Sequence, residues 1–282
     1  MNKRLQKRIL IAVATAVLAV MLTALVLECG RAWIKRNVAP WSPDYGSIGL
    51  FDILDDEELT DSDYDILYRQ TGLTRVGIDG LIAADRVSQI YNIQDDFFNS
   101  GIVVASNMPL FVTSFDRVMG HYEYPELEDG DIVISFSTYF SAIELGHAAI
   151  VVDAQLGLLA ETTGYDSPFG YVNAADFFTN STYAVLRPMC DSSIKEAAVR
   201  CATEELLGTR YDILTGIFTD KAPDTIRTTH CSHSVWYAYM RAGLDLDSNG
   251  GKIVTPRDIL NSEHLTLVGS RGMDIYGIFS DR

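Results

Sequence analysis

The chain has 282 residues, enough for one large domain or two small ones, and its 48% hydrophobic and 10% aromatic content excludes disorder over most of its length. Its 22 Lys and Arg against 38 Asp and Glu give a net charge of −16, which argues against DNA or RNA binding as the main function. With 4 cysteines it is not a disulfide-stapled scaffold, so any reactive thiol has to be found by its neighbours.

Charge is unevenly distributed. Residues 1–42 carry seven Lys or Arg against Glu28 alone, whereas Pro43 to Asp65 hold nine acids and no base. Between the first four bases and Glu28 runs an uncharged stretch, Ile9 to Leu27, whose 19 residues nearly span a hydrocarbon core about 30 Å thick. A transmembrane helix is the expectation. The alternative is a cleaved signal peptide, but the run is long for one and ends in Leu27-Glu28-Cys29-Gly30, without a small-x-small site. The bases at Lys3, Arg4, Lys7 and Arg8 keep the N-terminus cytoplasmic and put the rest outside the cell; cleavage would make the protein secreted.

Residues 1–30 thus form a basic head and anchor, and 31–100 a linker with an acidic helical extension. Pro40, Pro43, Gly46 and Gly49 mark the linker, Arg31 to Gly49. Leu59, Ile66, Leu67 and Leu73 recur at near-helical spacing, as do Ile78, Leu81, Ile82 and Ile90, and Thr60 or Asp61 caps the first helix. Asp61, Asp63 and Asp65 lack the glycine of an EF-hand loop and read as a solvated face, while the whole acidic stretch Pro43 to Asp65, by its charge and its place before the catalytic region, could act as an inhibitory propeptide-like segment.

From residue 101 to 282 short apolar runs predict strands at Ile102 to Val104, Ile132 to Phe136, Ala148 to Val152, Leu158 to Ala160 and Tyr183 to Leu186. A helix follows from Ser192 to Leu207, between Asp191 as cap and Gly208 as stop, and another opens near Cys231 and ends before Gly243. Strands first and helices after indicate an α+β fold.

Cys231 falls at a helix start, where unpaired N–H groups and the dipole favour a thiolate, with Thr229 placed to cap. His147 precedes a strand and follows Gly146. If Val152 pairs with Leu158, Ala149 opposes Glu161 and His147 lies diagonally on the same face. A one-residue slip would separate them. The result is a Cys-His-Glu triad, with Cys231 as nucleophile, His147 as base and Glu161 orienting the imidazole. His230 and His233 are rival bases, ranked second because near neighbours seldom face each other at a helix start.

The series Gly130-Asp131-Ile132-Val133, Gly146-His147, Glu161, Gly208 with Tyr211-Asp212, and Cys231-Ser232 followed by Val235-Trp236 and Tyr239 resembles circularly permuted papain-like hydrolases, the YiiX/YebB-like branch of the NlpC superfamily. The resemblance continues through Gly243-Leu244-Asp245-Leu246 and Val254-Thr255-Pro256 and covers roughly Glu128 to Leu267, while Gln70-Thr71-Gly72-Leu73 is similar to an N-terminal extension of some members. It implies a permuted papain-like fold with an antiparallel sheet packed on helices, the same three catalytic residues, and Tyr211 lining the cleft. His233 stands where relatives commonly carry Glu, which leaves its substrate contact open.

The implied activity is thiol hydrolysis of an amide in a cell-wall peptide, peptidoglycan included, or of a lysine-containing amide. The Cys231 N–H would sit in the oxyanion hole, and no metal or organic cofactor is implied. Two rivals stand beside it. One is acyl transfer or thioester hydrolysis on a lipid, with Phe136, Tyr139 and Phe140 as an apolar patch. The other is a noncatalytic wall-binding module. Asp245, Asp247, Asn249 and Gly250 open like a calcium loop, yet Pro256 stands at position twelve, so a turn is expected. Cys190 and Cys201 either bridge or pack, and Asn180-Ser181-Thr182 fits a glycosylation acceptor.

Overall fold

The computed structural model describes residues 3–37, 41–56, 58–99, 102–103, 113–118, 123–140, 143–164 and 167–279. Helix α1 (Lys3–Asn37) contains the apolar run, and its Lys3–Gly30 portion is long and apolar enough to cross a membrane. It extends ten residues past Leu27 and takes up the first part of the expected linker, because no Gly or Pro interrupts the chain between Arg31 and Asn37. Three short helices follow a single turn, α2 (Phe51–Leu54): α3 (Asp61–Thr71), α4 (Arg75–Ala83) and α5 (Val87–Asn99). Thr60 caps α3 in a capping box with Asp63, whose carboxylate takes the Thr60 N–H at 2.8 Å. Leu50, Leu67, Leu73, Ile78, Leu81, Ile90 and Ile93 form the core of this unit, while Asp61 and Asp65 stay exposed.

The remainder is α+β. Strands β1 (Ile102–Val103), β2 (Thr113–Phe115) and β3 (Arg117–Val118) precede the main sheet, in which β4 (Ile132–Ser135) is the first strand. A small ribbon, β5 (Thr138–Phe140) and β6 (Ile143–Glu144), separates β4 from β7 (His147–Asp153), which is followed by β8 (Leu158–Glu161) and β9 (Gly170–Asn173). After α6 (Ala174–Phe177) come β10 (Tyr183–Pro188), α7 (Ser192–Arg200), a π-turn over Cys201–Glu205, and the two-residue strands β11 (Arg210–Tyr211) and β12 (Thr228–Thr229). Helix α8 (Cys231–Arg241), α9 (Pro256–Leu260), β13 (Leu265–Arg271) and α10 (Tyr276–Phe279) close the chain. The six-stranded sheet has the order β13-β10-β4-β7-β8-β9 and all its pairings are antiparallel.

Alternation along β7 divides the core. Ala148, Ile150 and Val152 face α8, which lays Val235, Trp236, Ala238 and Tyr239 against them, and Ala149 and Val151 face Phe177, Phe178 and Tyr183. Burying each large apolar side chain contributes about 1.5–3 kcal/mol, so this two-sided packing fixes where α8 begins. Gly130-Asp131 is a clamp between layers: Asp131, fully buried, takes two hydrogen bonds from Arg187 at 2.9 and 2.7 Å, and the Tyr239 hydroxyl of α8 donates to the Gly130 carbonyl. The helical unit docks on β13, where Thr74 N–H donates to Val268 O at 3.2 Å and Gly77 leaves room for that carbonyl.

Candidate active site

Strand register decides the first half of the site. Ile150 pairs with Ala160 and Val151 with Leu159, the register that puts His147 and Glu161 on one face. A bulge moves Leu158 opposite Asp153 rather than Val152, beyond the functional end of the hairpin. His147 Nε2 and Glu161 Oε2 stand 2.7 Å apart, with the side chains 3% and 11% exposed. The same imidazole also hydrogen-bonds the Cys231 side chain.

Helix α8 supplies the second half. Its first residue is Cys231, and its N-cap is His230, whose extended backbone (φ −132°, ψ 173°) turns the chain into the helix. The expected cap, Thr229, lies one residue too early: it still belongs to β12, paired in parallel with Tyr211, and its hydroxyl instead meets His233 Nδ1 at 2.9 Å. Cys231 therefore holds the first helical position, where its N–H has no intrahelical acceptor and the dipole is positive. Burial pushes the thiol up. Hydrogen bonds with His147 and with the adjacent His230, and the charges of both rings, more than offset this and bring it down to about 5. For His147 burial works downward, and the Glu161 charge with the Cys231 hydrogen bond carries the imidazole up to about 10. The two directions agree on a thiolate beside an imidazolium between those limits.

A cavity of about 220 Å³ opens over the sulfur. Cys231, His147, His230 and Tyr211 line it, together with Leu145, Ile213, Ile253, Val254 and Pro256; among the lining residues no Asp, Glu, Lys or Arg is present. Gly146, at φ +70°, keeps this wall closed, since a Cβ there would come within 3.1 Å of Pro256 Cγ. Phe136 and Tyr139 border another depression, with Arg257 stacked on Phe136, and do not line the sulfur cavity. Its apolar walls come from loops after β11 and before α9 instead.

Several expectations are corrected. His233 is fully buried on the inner side of α8, with Nε2 at 2.9 Å from Lys221 O, and burial holds its pKa down at about 4. It supports the helix start and does not line the cavity. His230 and His233 do face each other, ring centroids 5.4 Å apart, because the cap folds back over the first turn. Among the described residues of the acidic segment none lines the cavity. All four cysteines are free thiols, so Cys190 and Cys201 pack rather than bridge. Asn180 is 3% exposed and donates to Phe177 O at 2.7 Å, which closes it to glycosylation.

The calcium-like loop is a turn. Asp245 accepts the Trp236 indole N–H at 2.7 Å, Asp247 pairs with Lys221, and Asn249 accepts the Gly251 N–H at 2.6 Å. Among the described residues no group of three or more His, Cys, Asp or Glu could hold a metal ion. His230 borders the cavity as the N-cap of α8, and its place directly before a helix start is the signal for that position. Compared with known proteins, the chain matches no protein-family model, no curated protein and no solved structure.

Proposed function

We propose that this chain is a thiol hydrolase with a Cys231-His147-Glu161 triad on a permuted papain-like fold, held at the cell membrane by α1 with its N-terminus cytoplasmic and its site outside. One observation carries the reading: a buried imidazole with a carboxylate on Nε2 faces a sulfur at a helix start, which lowers the thiol to about 5. The order of parts, histidine strand before nucleophile helix, accords with the permuted resemblance.

The chemistry follows from these groups. The thiolate attacks a carbonyl carbon, the carbonyl π pair moves to oxygen, and collapse expels the leaving group, which takes a proton from His147. Water then attacks the thioester, giving its proton to His147, and the acid product leaves as Cys231 returns to thiolate. Glu161 keeps the ring in place throughout.

The resemblance favours amides of cell-wall peptides or lysine-containing amides. A second reading, an ester or thioester with an apolar acyl group such as a lipid's, is favoured by the cavity, whose walls hold no Asp, Glu, Lys or Arg to meet a charged substrate. Full-length protein in detergent, incubated with muropeptides, lysine amides and p-nitrophenyl acyl esters, tests both. Acyl adducts on Cys231 found by mass spectrometry, and missing in Cys231→Ala, identify the accepted bond. No adduct with any of them, and no effect of Cys231→Ala on wall binding, would favour the noncatalytic module.

A further inference from the structure

One polar atom at the cavity wall is left over by the triad. His230 is 4% exposed, borders the cavity beside Cys231 and interacts with its thiol, and its Nε2 has no nitrogen or oxygen partner among the described residues. Such a buried orphan is costly, on the order of 1–3 kcal/mol, and a polar ligand atom in the cavity would satisfy it. Its proton can be placed by chemistry. Nδ1 accepts the His233 N–H at 3.4 Å as the helix cap, and the Ser232 hydroxyl near it is already donated to Val254 O at 2.8 Å. With Nδ1 accepting, a ring hydrogen can sit only on Nε2, which then presents a donor. A second orphan, the buried hydroxyl of Thr138, borders the same cavity, so two wall groups await a polar occupant.

We propose that His230 is a catalytic residue: its Nε2–H, with the backbone N–H of Cys231, forms the oxyanion hole for a carbonyl substrate held in this cavity. This rests on the hydrolase reading. When the sulfur bonds to the carbonyl carbon, the displaced π pair makes an alkoxide-like oxygen that accepts both hydrogen bonds. When the C=O re-forms and the leaving group departs, both are released. The cap bond to His233 fixes the ring before substrate arrives, so no reorganisation is needed at the moment charge develops.

Alkylation and acyl transfer separate this role from help in ionising the thiol. Iodoacetamide consumes the same thiolate without developing an oxyanion, whereas p-nitrophenyl butyrate develops one. In full-length protein at pH 9, His230→Ser keeps a good cap and removes the ring donor. The expected result is a fall of about 10²–10³-fold in ester acylation, with Cys231 alkylation within about twofold of wild type and an intact melting transition. If the serine variant does not fold, His230→Asn, which retains a cap acceptor, is read by the same two rates. Equal losses in both reactions, or an unchanged ester rate, would overturn the assignment while leaving the triad standing. A wild type that turns over no ester and alkylates as an ordinary thiol would overturn the hydrolase reading and this inference together.

Discussion

His147 Nε2 lies 2.7 Å from Glu161 Oε2 across the β7–β8 hairpin, both side chains nearly out of solvent. The charge of Glu161 is the main influence raising His147, so it also sets how much thiolate Cys231 carries. Glu161→Gln keeps a hydrogen-bonding shape and removes the charge. It should lower the imidazole, raise the thiol, and slow Cys231 alkylation at pH 6, by about tenfold once the thiol has risen two units from its value of about 5. An unchanged rate would mean that Glu161 is only packing.

Docking of the helical unit depends on a missing side chain. Gly77 sits inside α4, where Ala would ordinarily gain about 1 kcal/mol of helix propensity. Here the added Cβ would meet Val268 O at 2.3 Å, backbone that cannot rotate away. Overpacking of about 1–3 kcal/mol should win. Gly77→Ala is expected to lower the melting temperature by several degrees, and a rise would show that α4 shifts freely on β13.

The cavity wall before α9 is held by a reciprocal cap. Thr255 Oγ1 accepts the Asp258 N–H at 3.2 Å, and Asp258 takes the Thr255 N–H at 2.7 Å, directly beside Pro256 and Gly146. Thr255→Ala should cost about 1 kcal/mol, and Thr255→Ser should recover most of it. Chemical denaturation of both variants reads the difference; equal stabilities would exclude the cap as its source.

Apolar walls should make turnover depend on acyl length. Each methylene buried is worth about 0.8 kcal/mol, so octanoyl esters should exceed acetyl esters in kcat/KM by tenfold or more. Ile253→Lys places a charge in the wall and should abolish that preference. A wild-type preference for cationic amides over all esters would instead restore the lysine-amide reading.

Much of this was legible in the chain. The β7–β8 register needed only two apolar runs and the turn between them, conditional on Val152 pairing with Leu158; the bulge displaces that pair but keeps Ile150 opposite Ala160, and the helix start at Cys231 followed from the spacing of Val235, Trp236 and Tyr239. What escaped lay in contacts distant in sequence or finer than periodicity. Thr229 reads as a cap, but pairing with Tyr211, 18 residues earlier, keeps it in a strand, and the cap passes to His230. The cavity's apolar wall, with Ile213, Ile253 and Val254, is assembled from loops, which carry no repeat to read. Asp131 and Gly130 stand in the motif series, yet their partners, Arg187 and Tyr239, make them structural.

The most direct test of the account is the pH dependence of iodoacetamide labelling at each cysteine of the full-length protein, mapped by mass spectrometry, in wild type and His147→Ala. Because Cys231 is lowered to about 5 and His147 raised to about 10, wild-type labelling of Cys231 should already be on its plateau near pH 7, ahead of Cys190 and Cys201, whose thiols burial pushes up. In His147→Ala burial is left opposed by less, and labelling at pH 6 should fall by about a hundredfold or more. Labelling of Cys231 that rises only above pH 8, alike in both proteins, would contradict the activated thiolate on which the proposed function stands.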